Sequence, residues 1–107
     1  MPPLAPTDAE EMRAHAHDAA RLLKAMANDR RLMILCMLVG GEQAVSDINA
    51  GMELSQSALS QHLAVLREEG LVQTRRSAQT IYYSLTPGTV QDIVAEMAQD
   101  TGQKIIE

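Results

Sequence analysis

The feature that most constrains the fold is a helix with marked ends in the middle of the chain, over residues 55–70. Ser55 suits the start of a helix because its hydroxyl can accept a hydrogen bond from a free backbone N–H. Gly70 suits the end because glycine adopts the left-handed backbone that terminates a helix. At about 100° per residue, one side of this helix is mainly apolar and carries Ala58, Leu59, His62, Leu63, Val65 and Leu66.

The opposite side of this helix is small and polar, with amide and hydroxyl groups in place of the Lys and Glu typical of a solvated helix face. Such groups can enter the major groove of DNA and hydrogen-bond to base edges. We therefore predict contact with DNA along this side, and expect Arg67 to reach a phosphate. We expect His62, on the inner side, to pack. The predicted DNA-contacting residues of the helix are Ser55, Gln56, Ser57, Ser60, Gln61 and Arg67.

The segment before this helix predicts a helix-turn-helix. Ser46 is the expected cap of a short helix that runs through Ile48 to Gly51, and residues 52–54 form the turn. A short helix, a tight turn and a longer polar-faced helix are the parts of that motif.

Two further helices are predicted upstream. Residues 7–10 match a capping box and precede a stripe of apolar residues at helical spacing: Met12, Ala16, Ala19, Leu23 and Met26. Asn28 is expected to end this helix and to cap the next one, which stops at Gly40 and Gly41. Residues 1–6 contain three prolines and are expected to be a mobile tail.

After Gly70 the hydrophobic period changes from helical to alternating, which predicts strands at residues 71–74 and 80–85 that pair as a hairpin. Ile81, Tyr83 and Leu85 are expected to face the core. The predicted hairpin tip carries Arg75, Arg76, Ser77, Ala78 and Gln79.

A last helix is expected from Thr86 and Pro87, with an apolar stripe of Val90, Ile93, Val94 and Met97. One small core does not need both this stripe and that of the first helix, so we expect both to form the interface of a symmetric dimer. The predicted fold is mainly α with a β-hairpin, in the order α-α-α-α-β-β-α. The domain is expected over residues 7–102, followed by a C-terminal tail at 103–107.

The charge distribution supports a DNA-facing side although the net charge is −5. Residues 55–86 hold three arginines against two glutamates and are the only positive stretch. Arg75, Arg76 and Gln79 are therefore expected to touch phosphates or the minor groove, and the alternative is a charged tip that serves solubility. Arg30 and Arg31 at the start of a helix oppose the helix dipole, which a phosphate or a carboxylate partner could offset; the alternative to DNA contact is that one of them pairs with Asp29 or Asp47.

Three segments resemble the ArsR-type (ArsR/SmtB) winged helix-turn-helix repressors of bacteria. Residues 25–35 are similar to that family's entry into its second helix, residues 55–63 to its recognition helix, and residues 79–85 to its second wing strand. The resemblance implies a homodimer, held by its first and last helices, that represses transcription at an operator and releases it on a signal. Operator DNA with an inverted repeat is the implied partner. The sequence does not identify the inducer.

Within that family, the residues around Cys36 are most similar to the HlyU-like and BigR-like thiol-switch branch. That branch places a second cysteine in the last helix, and this chain has only Cys36. The expected disulfide switch is therefore missing. Cys36 is either a small packing residue or a redox site that forms a sulfenic acid or a mixed disulfide.

Other classes of protein are less well supported by the sequence. His15 and His17 point about 200° apart on a helix, so we expect no metal site, and we expect no cofactor. Catalytic arrangements are missing, which argues against an enzyme. The longest apolar run, residues 32–39, is too short to span a membrane, and the single cysteine suits the cytoplasm. The alternative function is a winged-helix module that binds another protein and leaves DNA alone.

Overall fold

The computed structural model describes residues 8–106, and their side chains from residue 8 to residue 99. The predicted tail at residues 1–6 lies outside this range. Within it, the elements are α1 (Ala9–Met26), α2 (Asp29–Met37), β1 (Gln43–Ala44), α3 (Val45–Met52), α4 (Gln56–Glu68), β2 (Val72–Ser77), β3 (Thr80–Leu85) and α5 (Thr89–Ile106).

The mainly α class with a hairpin is confirmed, and the element order differs by one short strand. β1 lies between α2 and α3, where the prediction had no strand. Its two residues are too few to show any hydrophobic period. At the other end, α5 continues past residue 102, where a tail was expected.

Short polar side chains start three of the helices. The Asp8 carboxylate accepts a hydrogen bond from the Glu11 N–H at 2.7 Å, so Asp8 caps α1. Asn28 accepts bonds from two backbone N–H groups of the first turn of α2, at 3.0 and 3.1 Å. The Ser55 hydroxyl accepts from the Ala58 N–H at 3.2 Å. The predicted caps at Asn28 and Ser55 are confirmed.

The start of α3 departs from the prediction, because Ser46 lies inside the helix and does not cap it. The residue before α3 is Ala44, whose side chain makes no capping bond. Ala44 also pairs with Tyr82 of β3. The strand therefore runs directly into the helix, and strand pairing fixes where the helix begins.

The sheet has the order β1-β3-β2, so β3 is its central strand. β2 and β3 pair from Val72↔Leu85 to Ser77↔Thr80, which leaves only Ala78 and Gln79 in the loop. Arg75 and Arg76 were predicted at the tip, and that placement is wrong. Both lie within β2, because the strand continues beyond residue 74 to keep its pairing with β3.

α2 lies at the centre of the helices, with contacts to α1, α3, α4 and α5. Burying a side chain as large as leucine or isoleucine stabilises the fold by about 1.5–3 kcal/mol. The fully buried large side chains therefore dominate the stability of the core. The side chains with less than 2% of their surface exposed are Ile34, Leu35, Ile48, Met52, Leu59, Leu66, Leu71 and Val94.

The stripes of α1 and α5 differ in burial, although both were predicted to face a second subunit. Val90 and Val94 are 7% and 0% exposed within one chain, so they belong to its core and leave almost no surface for a partner. Ile93 and Met97 are half-buried against the same core. The α1 stripe is exposed throughout residues 12, 16, 19 and 23, with Met12 at 49% and Leu23 at 57%.

The end of α4 is tied to the end of the hairpin. Gly70 has a φ of 78° and ends the helix, as predicted. The Thr86 hydroxyl donates to the Gly70 carbonyl at 2.7 Å, and the Thr86 N–H donates to the Leu71 carbonyl at 3.1 Å. Thr86 therefore joins the end of β3 to the end of α4. The last helix, α5, starts at Thr89 and not at Thr86.

The cap of α4 can be tested by stability. Changing Ser55→Ala removes the acceptor for the Ala58 N–H, and we expect the free energy of unfolding to fall by about 1 kcal/mol. Ser60→Ala is the matched control, since Ser60 lies in the exposed helix interior and alanine is the better helix former. Urea unfolding of both variants without DNA gives the comparison; equal stability of the two would contradict the capping role.

Candidate nucleic-acid interface

The two sides of α4 differ as the sequence predicted. Leu59, Leu63 and Leu66 are buried in the core, and His62 is half-buried beside them. The predicted DNA-contacting residues of this helix are all exposed: Ser55, Gln56, Ser57, Ser60, Gln61 and Arg67. The helix thus presents a continuous polar side that no other part of the described chain covers.

A groove of about 760 Å³ separates α4 from the sheet. Ser60, Ala64 and Arg67 line one wall, and Ile81 and Tyr83 of β3 line the other. The groove is open to solvent, so the polar side of α4 and the hairpin belong to one surface. A polar helix face and a hairpin side by side can contact neighbouring parts of the same DNA duplex.

The two arginines of β2 lie on opposite faces of the sheet. Directly paired residues of antiparallel strands share a face, and Arg76 pairs with Ile81, which lines the groove. Arg75 pairs with Tyr82, one position along and therefore on the other face. Sequence reasoning treated these two residues as equivalent, and the register separates them.

Arg75 is held by two partners on that outer face. Its Nε donates to Glu42 Oε2 at 3.2 Å, and its Nη2 donates to the other carboxylate oxygen. Its guanidinium carbon lies 4.6 Å from the centre of the Tyr82 ring. The hydrogen bond from Arg75 lowers the pKa of Glu42, and the same contact raises the pKa of Arg75.

Sequence reasoning missed Glu42 and Tyr82 as parts of the site. Glu42 is distant from Arg75 in the sequence and precedes a strand that was not predicted, so no local pattern connects the two. An ion pair between Arg30 or Arg31 and Asp29 or Asp47 was also considered from the sequence. In the described side chains, the ion pairs join Arg21 to Glu69 and Arg75 to Glu42.

Cys36 is half-buried on α2 and packs against the hydrophobic core. Burial raises the pKa of its thiol above the ordinary value, because the thiolate is poorly solvated there. No activating charge contributes to this shift. The position on α5 where the related branch carries its second cysteine lies outside the described side chains.

The described residues offer neither a metal site nor a membrane-spanning helix. No group of three or more His, Cys, Asp and Glu side chains in that part of the chain is arranged to hold a metal ion. No helix found there has the length and apolar character needed to cross a membrane.

The arrangement of α3, a tight turn, α4 and a following hairpin defines a winged helix-turn-helix. Comparison with known proteins specifies the family. Residues 28–74 match the family model described as "Bacterial regulatory protein, arsR family". The transcriptional activator HlyU of Vibrio cholerae is 52% identical over 90 residues, which cover 84% of this chain and 83% of that protein. The chain therefore belongs to the arsR family of bacterial regulatory proteins.

Solved structures agree with this assignment. The transcriptional repressor BigR from Xylella fastidiosa is 36% identical and has a TM-score of 0.79, with 91% of this chain and 96% of that chain covered. A homodimeric winged helix-turn-helix DNA-binding domain from Mycobacterium bovis is 32% identical, with a TM-score of 0.77 and coverage of 94% and 93%. Both confirm the fold over nearly the whole chain.

The environment of Cys36 predicts a slow thiol. Because burial raises its pKa, less thiolate is present at neutral pH, and the pH midpoint of its reaction with a small disulfide reagent should lie above that of an exposed thiol. The control is Ser60→Cys in a Cys36→Ser background, which places a thiol on an exposed position of α4. A midpoint for Cys36 at or below that of the control would contradict the prediction.

Proposed function

We propose that this protein is a dimeric transcriptional regulator that binds double-stranded operator DNA sequence-specifically and represses by occupying it. The observation that carries the proposal is the exposed amide and hydroxyl side of α4 beside a basic hairpin, in a chain of net charge −5. A uniformly acidic surface would repel phosphates, so local positive charge directs the approach of DNA.

The contacts divide into two kinds. Gln56, Ser57, Ser60 and Gln61 read base edges in the major groove, because their side chains offer both donors and acceptors. Arg67 and Arg76 bind phosphates, and Gln79 at the hairpin loop reaches the backbone or the minor groove. Ser55 sits at the helix N-terminus, where a phosphate is favoured.

The dimer forms chiefly through the stripe Met12, Ala16, Ala19 and Leu23 of α1, whose apolar surface is exposed in the single chain. Ile93 and Met97 of α5 contribute their remaining surface. The similar Mycobacterium bovis domain is a homodimer, which supports a dimer here. A two-fold axis calls for an inverted repeat whose half-sites lie about one helical turn, or a multiple of it, apart.

Family membership favours regulation over the alternative of an interaction module that ignores DNA, and over an enzyme. One similar protein is named an activator and another a repressor. We propose repression because occupying an operator needs no further partner. We place the protein in the cytoplasm, where DNA is accessible, and propose no cofactor or metal.

The division of contacts predicts different effects of two substitutions. Arg76→Ala should weaken binding to all DNA sequences and reduce the slope of log affinity against log salt by about 0.9, the value for one phosphate. Gln56→Ala should leave the slope unchanged and relax the preference at particular base pairs by about 1–3 kcal/mol. Fluorescence anisotropy with a selected operator and its single-base variants measures both; identical effects of the two changes would refute the division.

The exposed α1 stripe predicts a dimer interface. Leu23→Glu should dissociate the dimer, because it would bury a charge without a partner, and should weaken binding to a two-half-site operator more than to an isolated half-site. His17→Glu is the control, since it adds the same charge on another exposed side of α1. Sedimentation equilibrium gives the oligomeric state. Dissociation by His17→Glu alone would place the interface elsewhere.

A further inference from the structure

The sheet changes from three strands to two at the row that contains Tyr82. β1 reaches Tyr82 through Ala44, and beyond this row β2 and β3 continue as a two-stranded hairpin to the loop. A two-stranded hairpin is only marginally stable without further packing. The orientation of the part beyond this row, residues 76–81, therefore depends on the contacts at the row that contains Tyr82.

Arg75 lies at this row and connects both edges of the sheet. It starts on β2, passes over the ring of Tyr82 on the central strand, and reaches Glu42 next to β1. The two-pronged bond between a guanidinium and a carboxylate fixes direction as well as distance, and the ring adds a cation–π contact. A single side chain of β2 thus crosses the central strand and reaches the residue that precedes β1.

We propose that Glu42, Arg75 and Tyr82 form a brace that sets the angle of the hairpin relative to α4, and that Arg75 is a positioning residue rather than a phosphate contact. This inference rests on the proposed DNA binding and corrects the sequence-based role of Arg75. Phosphate contact at the wing then belongs to Arg76, which shares the groove-facing side of the sheet with Ile81.

Three substitutions separate the brace from direct DNA contact. Arg75→Lys keeps the positive charge that a phosphate needs but loses the two-pronged geometry that Glu42 needs. Glu42→Gln keeps the shape and removes the charge that holds Arg75. If Arg75 binds phosphate, Glu42→Gln should free it and tighten DNA binding, whereas a brace predicts weaker binding. Arg75→Gln removes the charge altogether and isolates the salt dependence.

We expect Glu42→Gln and Arg75→Lys each to weaken operator binding about twofold to fivefold, the range for a cross-strand pair. The salt slope should stay unchanged, including in Arg75→Gln, and the double variant Glu42→Gln with Arg75→Lys should be no worse than either single one. Glu10→Gln, on the first turn of α1, controls for the loss of one negative charge. Tighter binding by Glu42→Gln than by Glu10→Gln would overturn the proposal.

A slope of log affinity against log salt that falls by about 0.9 in Arg75→Gln, as expected for Arg76→Ala, would also overturn the proposal.

The brace itself is tested without DNA, which keeps its failure distinct from that of the proposed function. The Glu42 carboxyl should titrate below its ordinary pKa in the wild type and return toward that value in Arg75→Gln. The amides of residues 76–81 should exchange faster in Glu42→Gln. An ordinary Glu42 pKa in the wild type would refute the brace even if DNA binds.

Discussion

The pairing of β1 with β3 is the constraint on which the rest of the structure depends. Two residue pairs, Gln43↔Tyr83 and Ala44↔Tyr82, attach the hairpin to the residues that lead directly into α3. The helix-turn-helix and the wing therefore share one strand pairing, which fixes where α3 starts and brings β3 beside α4. Without it the two-stranded hairpin would be held to the helices only by residues 69–71, Thr86 and the packing of Val72 and Leu85 in the core.

The same pairing decides which side of the sheet each arginine of β2 occupies. Alternation along β2 directs Arg76 toward the groove and Arg75 toward the outer face, where Glu42 neutralises it. Only one of the two arginines of β2 therefore lies on the groove-facing side of the sheet. In the proposed mode of binding, the amide groups of α4 supply discrimination between base pairs, and a few cations supply attraction to phosphates.

Burial also separates two roles that the sequence pattern could not distinguish. Apolar stripes on α1 and α5 have the same helical spacing, yet Val94 is fully buried in its own chain and Leu23 is 57% exposed. Cys36 is a comparable case, since its spacing on α2 is that of a packing residue and its raised pKa follows from desolvation. Its environment favours packing over rapid thiol chemistry, which agrees with the lack of a second cysteine in the sequence.

Local chemistry in the sequence determined the helix ends at Asn28, Ser55 and Gly70, the bounds of β3 and the two sides of α4, because each depends on neighbouring residues or on a period that a single segment displays. The tertiary structure alone decided the two-residue strand β1, the start of α3, the core position of Val94 and the partnership of Arg75 with Glu42. Those features join residues far apart in the chain, and no pattern within one segment records which distant segment it will meet.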